Sequence, residues 1–524
     1  MNEFDVSLLD LPNEVLLMIL KKLNNTDVLY SFLNINHGRL ETLAQEQVSS
    51  GTLNFVSFDP TSSMDRLRLD RFRLHILPSI HENIKYLILK PDLIECILLA
   101  SHYPNLTKIK LCDFNEECAL HYFGDESPLR YIFQHQITNL ILVNHDKDML
   151  IKSLKTYILN VYIQILNVFQ NLKHLNIIGS SNMSTLCLAL RGLPSNTFYL
   201  SSLTYLSIDV YSLDDCLYLL DGRLKQLATL IVRIGHMENS SSIIHNMDHL
   251  PNLKCFSLTF QNCITLLNTN FLLLFRRMSN LENLTLYLRI KDQDKFVDGT
   301  FLQSEILAYM PLLHSFTFYI CTYVTTIDSL HHPTSQDVQR TFTNLGQKQV
   351  VCIINNISPE DIVCSAFSTP FAFDYIEDFG HTIPNIIFNH VTYLMIHDIV
   401  WFNREFFIEL ARAFPLLQIL RVLNMGAEPC QLDNSQSYKI AEFPHLTYLD
   451  MRRADSPYLE QFLNETKMYL PSLTKLNVIY NNLRIVTDNF TRRETRRNCA
   501  KVKQLLVSSP LAHTKEFYLH FPLL

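Results

Sequence analysis

The feature that most constrains this chain is a recurring string, L-x-x-L-x-L, kept in phase with proline. Its first position is filled by Ile84, Leu106, Ile137, Leu172, Leu203, Leu227, Leu253, Leu281, Leu313, Val391, Leu417, Leu446 and Leu473. Most copies lie about 22 to 35 residues apart, an interval typical of stacked structural repeats. Pro104, Pro251, Pro311, Pro415, Pro444 and Pro471 each stand two residues before an anchor. Proline ends a helix and biases its predecessor toward extended backbone. Each follows a stretch of helical character, the clearer ones being 92–103, 305–310, 405–414 and 459–470. The unit is therefore a short strand, a loop, a helix, a proline stop and the next strand. In a strand the fourth and sixth motif positions share a side, and these are the apolar ones, so they face a core. One strand–helix unit cannot bury that face alone, so neighbours must stack into a parallel sheet backed by helices. The expected class is α/β.

This pattern resembles the leucine-rich-repeat horseshoe. It departs from it where such repeats place Asn or Cys, three residues past the sixth position. Phe114, Ser180, Tyr211, Gln261, Arg289, Met425 and Ala454 stand there, and only Asn481 fits. Turn hydrogen bonding must then be solved in another way. The rhythm also breaks over about 321–390, which holds a polar segment, 331–337, and a strand-like one, 350–354. A diverged repeat with a loop, or an insertion reaching over the sheet face, would each account for it. Leu53–Phe58 is a candidate strand, and Thr514–Leu519 a candidate closing edge strand.

A second organisation stands at the start. Leu11-Pro12-Asn13-Glu14-Val15-Leu16-Leu17-Met18-Ile19-Leu20-Lys21-Lys22-Leu23 reads as a short amphipathic helix. Pro12 and Glu14 suit its first turn, and Leu16, Ile19, Leu20 and Leu23 repeat at helical spacing. Asn24-Asn25-Thr26-Asp27 breaks it and caps a second helix carrying Val28, Phe32 and Ile35. The string Leu-Pro-x-Glu-Val-Leu-x-x-Ile-Leu-x-x-Leu, followed by Asp27-Val28, resembles the start of an F-box over residues 7 to 50. F-boxes usually carry a tryptophan after their third hydrophobic block, where Leu40 stands here. Taken together, the chain resembles F-box proteins with C-terminal leucine-rich repeats. The layout so implied is an all-α F-box domain at 4–50, a linking segment at 51–80, and an irregular repeat solenoid at 81–524.

The resemblance implies a substrate-recognition adaptor of a cullin-RING ubiquitin ligase. A Skp-type adaptor subunit, and through it a cullin, would dock on Leu11, Pro12, Glu14, Val15, Leu16, Ile19, Leu20, Leu23 and Val28. The repeats would hold a protein substrate near the charged enzyme, so the contribution is proximity, with no catalytic residue and no cofactor in this chain. The outward strand positions most suited to a substrate are Tyr205, Tyr393, Arg421, Tyr448, Asp450, Arg452 and Lys475. Tyrosine recurs at motif position three (Tyr86, Tyr205, Tyr393, Tyr448), which fits either an interface or lateral packing on a sheet. The rival reading is a ubiquitin-independent repeat scaffold whose N-terminal helices cap the solenoid. Leu16 and Ile19 separate the two, by being exposed or by being buried against residues 53–90.

Composition narrows the rest. Only 11 glycines occur, and neither GxGxxG nor GxxxxGK[ST] is present, so nucleotide-binding loops have no basis. A formal charge of −7 gives no global pull toward nucleic acid. The N-terminus is acidic and no run of 18 apolar residues occurs, so neither a secretory leader nor a membrane span is expected. The 12 cysteines are scattered without CxxC, which fits reduced thiols in a cytoplasmic or nuclear protein. His245 and His249 share a helical spacing but lack further ligands, and read as polar surface. The adjacent His331 and His332 diverge. Arg492-Arg493-Glu494-Thr495-Arg496-Arg497 is the most basic run, read as a solvated helical face ahead of a nuclear address or phosphate patch.

Overall fold

The computed structural model describes residues 10–33, 35, 37–47, 51–58, 62–124, 126–144, 164–165, 168–178, 202–222, 224–235, 250–265, 269–325, 333–342, 349–358, 360–424, 439–507 and 514–524. His245, His249, His331, His332, Ser180 and Met425 lie outside them. The fold is mixed α/β, with large parallel sheets and many helices, and it divides into two compact units. One comprises 1–262, 273–283 and 309–313; the other comprises 263–272, 284–308 and 314–524.

The first unit begins with three helices, α1 (Asn13–Leu20), α2 (Asn25–Phe32) and α3 (Gly38–Gln47). Leu16, Leu20, Val28, Leu43 and Ala44 form their common core. The described residues of the segment 51–80 are themselves folded: they hold β1 (Thr52–Asn54), α4 (Ser63–Arg71) and further helical turns to Ile80. Seven more strands follow: β2 (Tyr86–Leu89), β3 (Lys108–Phe114), β4 (Asn139–Asn144), β5 (His174–Ile178), β6 (Tyr205–Val210), β7 (Thr229–Ile234) and β8 (Cys255–Phe260). Every strand pairs in parallel with the one before it in the chain. The register aligns like motif positions, so that Tyr86, Lys108, Asn139, His174, Tyr205, Thr229 and Cys255 form one row.

The second unit holds β9 (Asn283–Ile290, from Leu284 on), β10 (Ser315–Thr325), β11 (Val350–Asn356) and β12 (Asp361–Ser368). These lie side by side in the order β9-β10-β12-β11. β12 runs antiparallel to both neighbours, so the break in the repeat rhythm is an antiparallel insert rather than a diverged strand–helix copy. A six-stranded parallel sheet follows, of β13 (Tyr375–Phe379), β14 (Tyr393–Asp398), β15 (Ile419–Asn424), β17 (Tyr448–Arg453), β19 (Lys475–Asn477) and β20 (Gln504–Leu506). β16 (Ala441–Glu442) and β18 (Met468–Tyr469) pair separately.

The motif sorts the core as expected. All thirteen fourth-position and all thirteen sixth-position residues, from Leu87 and Leu89 to Leu476 and Val478, are buried, as is every anchor except Leu313. What replaces the missing turn asparagine is a ladder one residue before the anchor. Asn105 Nδ2 donates to Glu82 O (2.7 Å), Asn171 to His135 O (3.2 Å), Asn252 to Lys225 O (2.7 Å) and Asn280 to Pro251 O (2.9 Å). Ser202 and Ser472 do the same through their hydroxyls, to Gln170 O and Pro444 O. Each bond joins equivalent turns of successive repeats. In many of the repeats the second-position carbonyl also accepts two N–H groups from the next repeat, as Thr107 O does from Thr138 and Asn139, both at 3.0 Å.

Five expectations need correction. Helix 405–414 is present as Arg404–Ala413, but the one expected over 459–470 runs Ser456–Leu463. Asn464 leaves helical geometry there, and Met468 pairs with Ala441 as β18. The expected strand 514–519 is a helix, Lys515–His520, because Thr514 Oγ1 caps it by accepting from Phe517 N (3.2 Å). Its Phe517, His520 and Phe521 then fall on one buried face. Leu53–Phe58 is strand only to Asn54. Helix 92–103 is shorter than expected, a turn at Pro91–Leu93 and a helix at Ile94–Leu98; 305–310 holds only the end of helix Gly299–Glu305 and a turn at Leu307–Tyr309. Among the described residues no helix is long and apolar enough to cross a membrane.

Candidate docking surfaces

The N-terminal hairpin divides its labour between two helices. Asn24 caps α2, its side chain accepting from Thr26 N (3.4 Å). α2 then fastens onto the first strand: Asn25 Nδ2 donates to Thr52 O (3.0 Å) and Thr26 Oγ1 to Asn54 O (3.2 Å). Asp27 pairs with Arg68 of α4, and the Arg71 guanidinium sits 4.7 Å from the Tyr30 ring while donating to Leu33 O (2.9 Å). α3 holds the start of α1 through Arg39, which donates to Asn13 Oδ1 (2.7 Å) and Leu11 O. α1 turns Leu16 and Leu20 inward, and its other face is left to solvent. Val15 and Ile19 are each 39% exposed, Leu23 50% and Met18 68%. Val15, Met18 and Ile19 lie at i, i+3 and i+4, one stripe of a helix.

The nine residues expected to contact an adaptor therefore separate. Val15, Ile19, Leu23, Pro12 and Glu14 are exposed, Leu11 is half-buried, and Leu16, Leu20 and Val28 are core. The core three hold the helices together, and no partner can touch them while the hairpin is folded. Leu16 is buried within its own hairpin, not against residues 53–90. Met18, the most exposed apolar side chain of α1, was missed because it breaks the Leu/Ile pattern that reads as core.

The seven outward strand residues are not brought into one cluster. Tyr205 lies on β6 of the first unit, stacked on His174 with ring centres 5.3 Å apart. The other six share the parallel sheet of the second unit, where β14, β15, β17 and β19 place them in adjacent register. Asp450 is their hub. Its Oδ1 accepts from Arg452 N (3.2 Å) and Nε (3.1 Å), and its Oδ2 from Arg452 Nη2 (2.9 Å) and Arg421 Nε (3.2 Å). Burial pushes the Asp450 carboxyl up, but the bonds and charge of Arg452, joined by Arg421, outweigh it and hold it below the ordinary range. Arg421 Nη1 donates to Tyr393 OH (3.3 Å), and Lys475 Nζ lies 4.7 Å from the Tyr448 ring centre. All four position-three tyrosines touch a neighbouring strand in this manner, Tyr86 beneath Lys108 at 4.4 Å. Lateral packing accounts for their recurrence.

Deeper in the same unit lies a polar cluster that the sequence pattern did not single out. Arg289, at the end of β9, pairs with Glu377 and Asp378 of β13 and donates to Tyr323 OH (3.1 Å). Tyr323 donates to Asp378, and His397 Nε2 lies 2.8 Å from Asp378 Oδ1. Asp378 reaches this position through a left-handed backbone (φ 58°) at a register shift between β13 and β14. Burial opposes its ionisation, but Arg289, His397 and Tyr323 hold its carboxyl well below the usual range. Burial dominates at Glu377, whose carboxyl is pushed up in spite of Arg289. The one sequence signal was Arg289 itself, a cation where the repeat pattern calls for Asn or Cys. The cluster joins the β9–β10 strands to the parallel sheet and is a structural joint.

The basic run near the C-terminus lies on a turn, Arg493–Thr495, and a short helix, Arg496–Cys499. Arg492 pairs with Glu460 (2.8 Å) and Glu494 (3.7 Å), and Arg497 lies 3.9 Å from Glu465. Among the described residues no group of three His, Cys, Asp or Glu side chains could hold a metal ion.

No protein-family model matches the chain, and no curated protein matches it in sequence. Among solved structures it is similar to one titled as the crystal structure of the Rad7 and Elc1 complex in yeast. That likeness has 13% identity, covers 85% of this chain and 94% of the other, and has a TM-score of 0.27.

Proposed function

We propose that this chain is a substrate-recognition adaptor of an SCF-type cullin-RING ubiquitin ligase, docking a Skp-type subunit through α1 and holding a protein substrate on its strands. The observation that carries the reading is the apolar stripe of Val15, Met18 and Ile19, exposed on a helix whose own core is already complete. A helix that served only to cover the end of a sheet would turn such residues inward. The Leu11–Val28 string supplies the identity of the partner by its resemblance to F-boxes. The chain would contribute no catalytic group. Co-expression with a Skp-type adaptor tests this. Met18→Asp with Ile19→Asp should abolish co-purification without lowering the melting temperature, since both side chains face solvent. Undiminished capture by that variant would overturn the reading.

A second reading has its own support. Asn25 and Thr26 bond the backbone of β1, so α2 caps the first strand of a stack whose end must be covered. On this reading the hairpin is a cap of a ubiquitin-independent scaffold, and the wild-type chain captures no adaptor at all.

A further inference from the structure

We propose that the sheet face around Arg452 in the second unit binds an extended acidic peptide segment, in which an aliphatic residue is flanked by aspartate or glutamate. This rests on the reading of the strands as the substrate-holding part, and it names the substrate class.

The charge balance comes first. Arg421 and Arg452 share the carboxylate of Asp450, which is 4% exposed and so closed to a ligand, and Arg421 also feels the charge of Glu377, so the cations left over for a ligand are Arg452 and Lys475. Arg452 is half engaged. Its Nε and Nη2 grip Asp450, its side chain stays 53% exposed, and its Nη1 has no partner among the described residues. Lys475 likewise rests on the Tyr448 ring and has no ion pair among the described residues. Both cations are therefore held in place before a ligand arrives, which lowers the ordering cost of binding.

Shape comes second. Beside Arg452 lies a cleft of about 440 Å³, lined by Arg452, Asn477, Val478, Ile479, Leu506 and Val507. Its volume falls within the range of small-ligand pockets, ample for a leucine-sized side chain. The Asn477 amide is tied in the orientation that accepts from Arg452 Nε (2.8 Å) and Tyr448 OH (3.2 Å) and donates to Leu506 O (3.2 Å). The floor is aliphatic and the rim cationic. Among the described residues no acidic side chain lines the cleft and no aromatic ring does, so they offer no stacking platform of the kind a nucleic acid needs. Two donors on separate strands, Arg452 Nη1 and Lys475 Nζ, suit one carboxylate each. A phosphate would call for several donors converging on one point.

The test is a pool of synthetic nine-residue peptides with a fixed central leucine and flanking positions randomised over the standard residues plus phosphoserine. The pool is passed over the immobilised full chain and the retained fraction is sequenced. Aspartate and glutamate should be enriched beside the leucine. Arg452→Gln, which can still hydrogen-bond Asp450, and separately Lys475→Glu should each cut that enrichment by about tenfold, equivalent to ~1.4 kcal/mol. Arg412→Glu, an exposed position on the Arg404–Ala413 helix, should leave it intact. Melting curves confirm that each variant is folded. No retained peptide, enrichment of phosphoserine alone, or enrichment indifferent to Arg452 and Lys475 would overturn the proposal. No adaptor is present in the assay, so a chain carrying Ile19→Asp should retain the same peptides. A failure of α1 docking and a failure of this site are thereby read separately.

Discussion

The α1 stripe and the Arg452 cleft are both open to solvent, yet they are built on opposite principles. Val15, Met18 and Ile19 offer apolar area with no polar group to match, on a helix held from behind by Leu16 and Leu20. The cleft sets an aliphatic floor beside a cation, Arg452, whose position is organised by the buried Asp450. The first can recognise only shape and hydrophobicity, and the second depends on a fixed electrostatic frame. On the proposed reading, that contrast suits a constant partner on the α1 stripe and a chosen one on the cleft.

The comparison is broken most severely by removing the frame of the second unit. Arg289→Met leaves Asp378 and Glu377 without their cation in a buried site, which should cost about 3–5 kcal/mol. Chemical denaturation should show it, and peptide retention at the cleft should fall while adaptor capture by α1 survives. The converse is Leu16→Ala, a 1% exposed core residue of the hairpin. It should cost about 2–4 kcal/mol locally. Proteolysis should open the N-terminus and adaptor capture should drop, with peptide retention unchanged.

Acid sharpens the contrast by a smaller amount. Asp378 and Asp450 are both held below the ordinary carboxylate value of about 3.9. Their contribution is complete above that value and is lost as pH falls through their lower folded values. Glu377, pushed up by burial, works in the other sense: it favours the folded state while protonated and loses that contribution as pH rises. Asp378→Asn should therefore flatten the acid limb of an unfolding titration followed by intrinsic fluorescence. The hairpin core, which contains no ionisable side chain, should show no such limb. The mildest effect is that of salt. Raising it should weaken peptide retention at the exposed Arg452 more than capture by α1, whose Val15, Met18 and Ile19 carry no charge.

Much of the architecture was legible because it rests on local periodicity. Every fourth- and sixth-position residue of the thirteen copies is buried, and position alone decided that. The insert at β10–β12 was legible only as a break in rhythm, since antiparallel pairing leaves no fixed spacing. The ladder of Asn105, Asn171, Asn252 and Asn280 was visible as letters before each anchor, but its role was not. A side chain's hydrogen-bond partner about 23 to 36 residues away depends on how successive turns stack. Lys515–His520 was misread because a short run of mixed apolar residues suits either a strand or a helix. Thr514 and the burial of Phe517 and His520 decide between them.

The sequence by itself determined the repeat phase, the α/β class and the presence of a capped helical hairpin, because these follow from spacing, proline geometry and side-chain alternation. Tertiary structure alone decided which apolar residues of that hairpin are core and which are surface. It also decided that Arg289 meets Asp378 nearly ninety positions away, and that Asp450 arms Arg452. Burial and ion pairing are properties of what packs against a residue, and a single strand or helix does not contain its own neighbours.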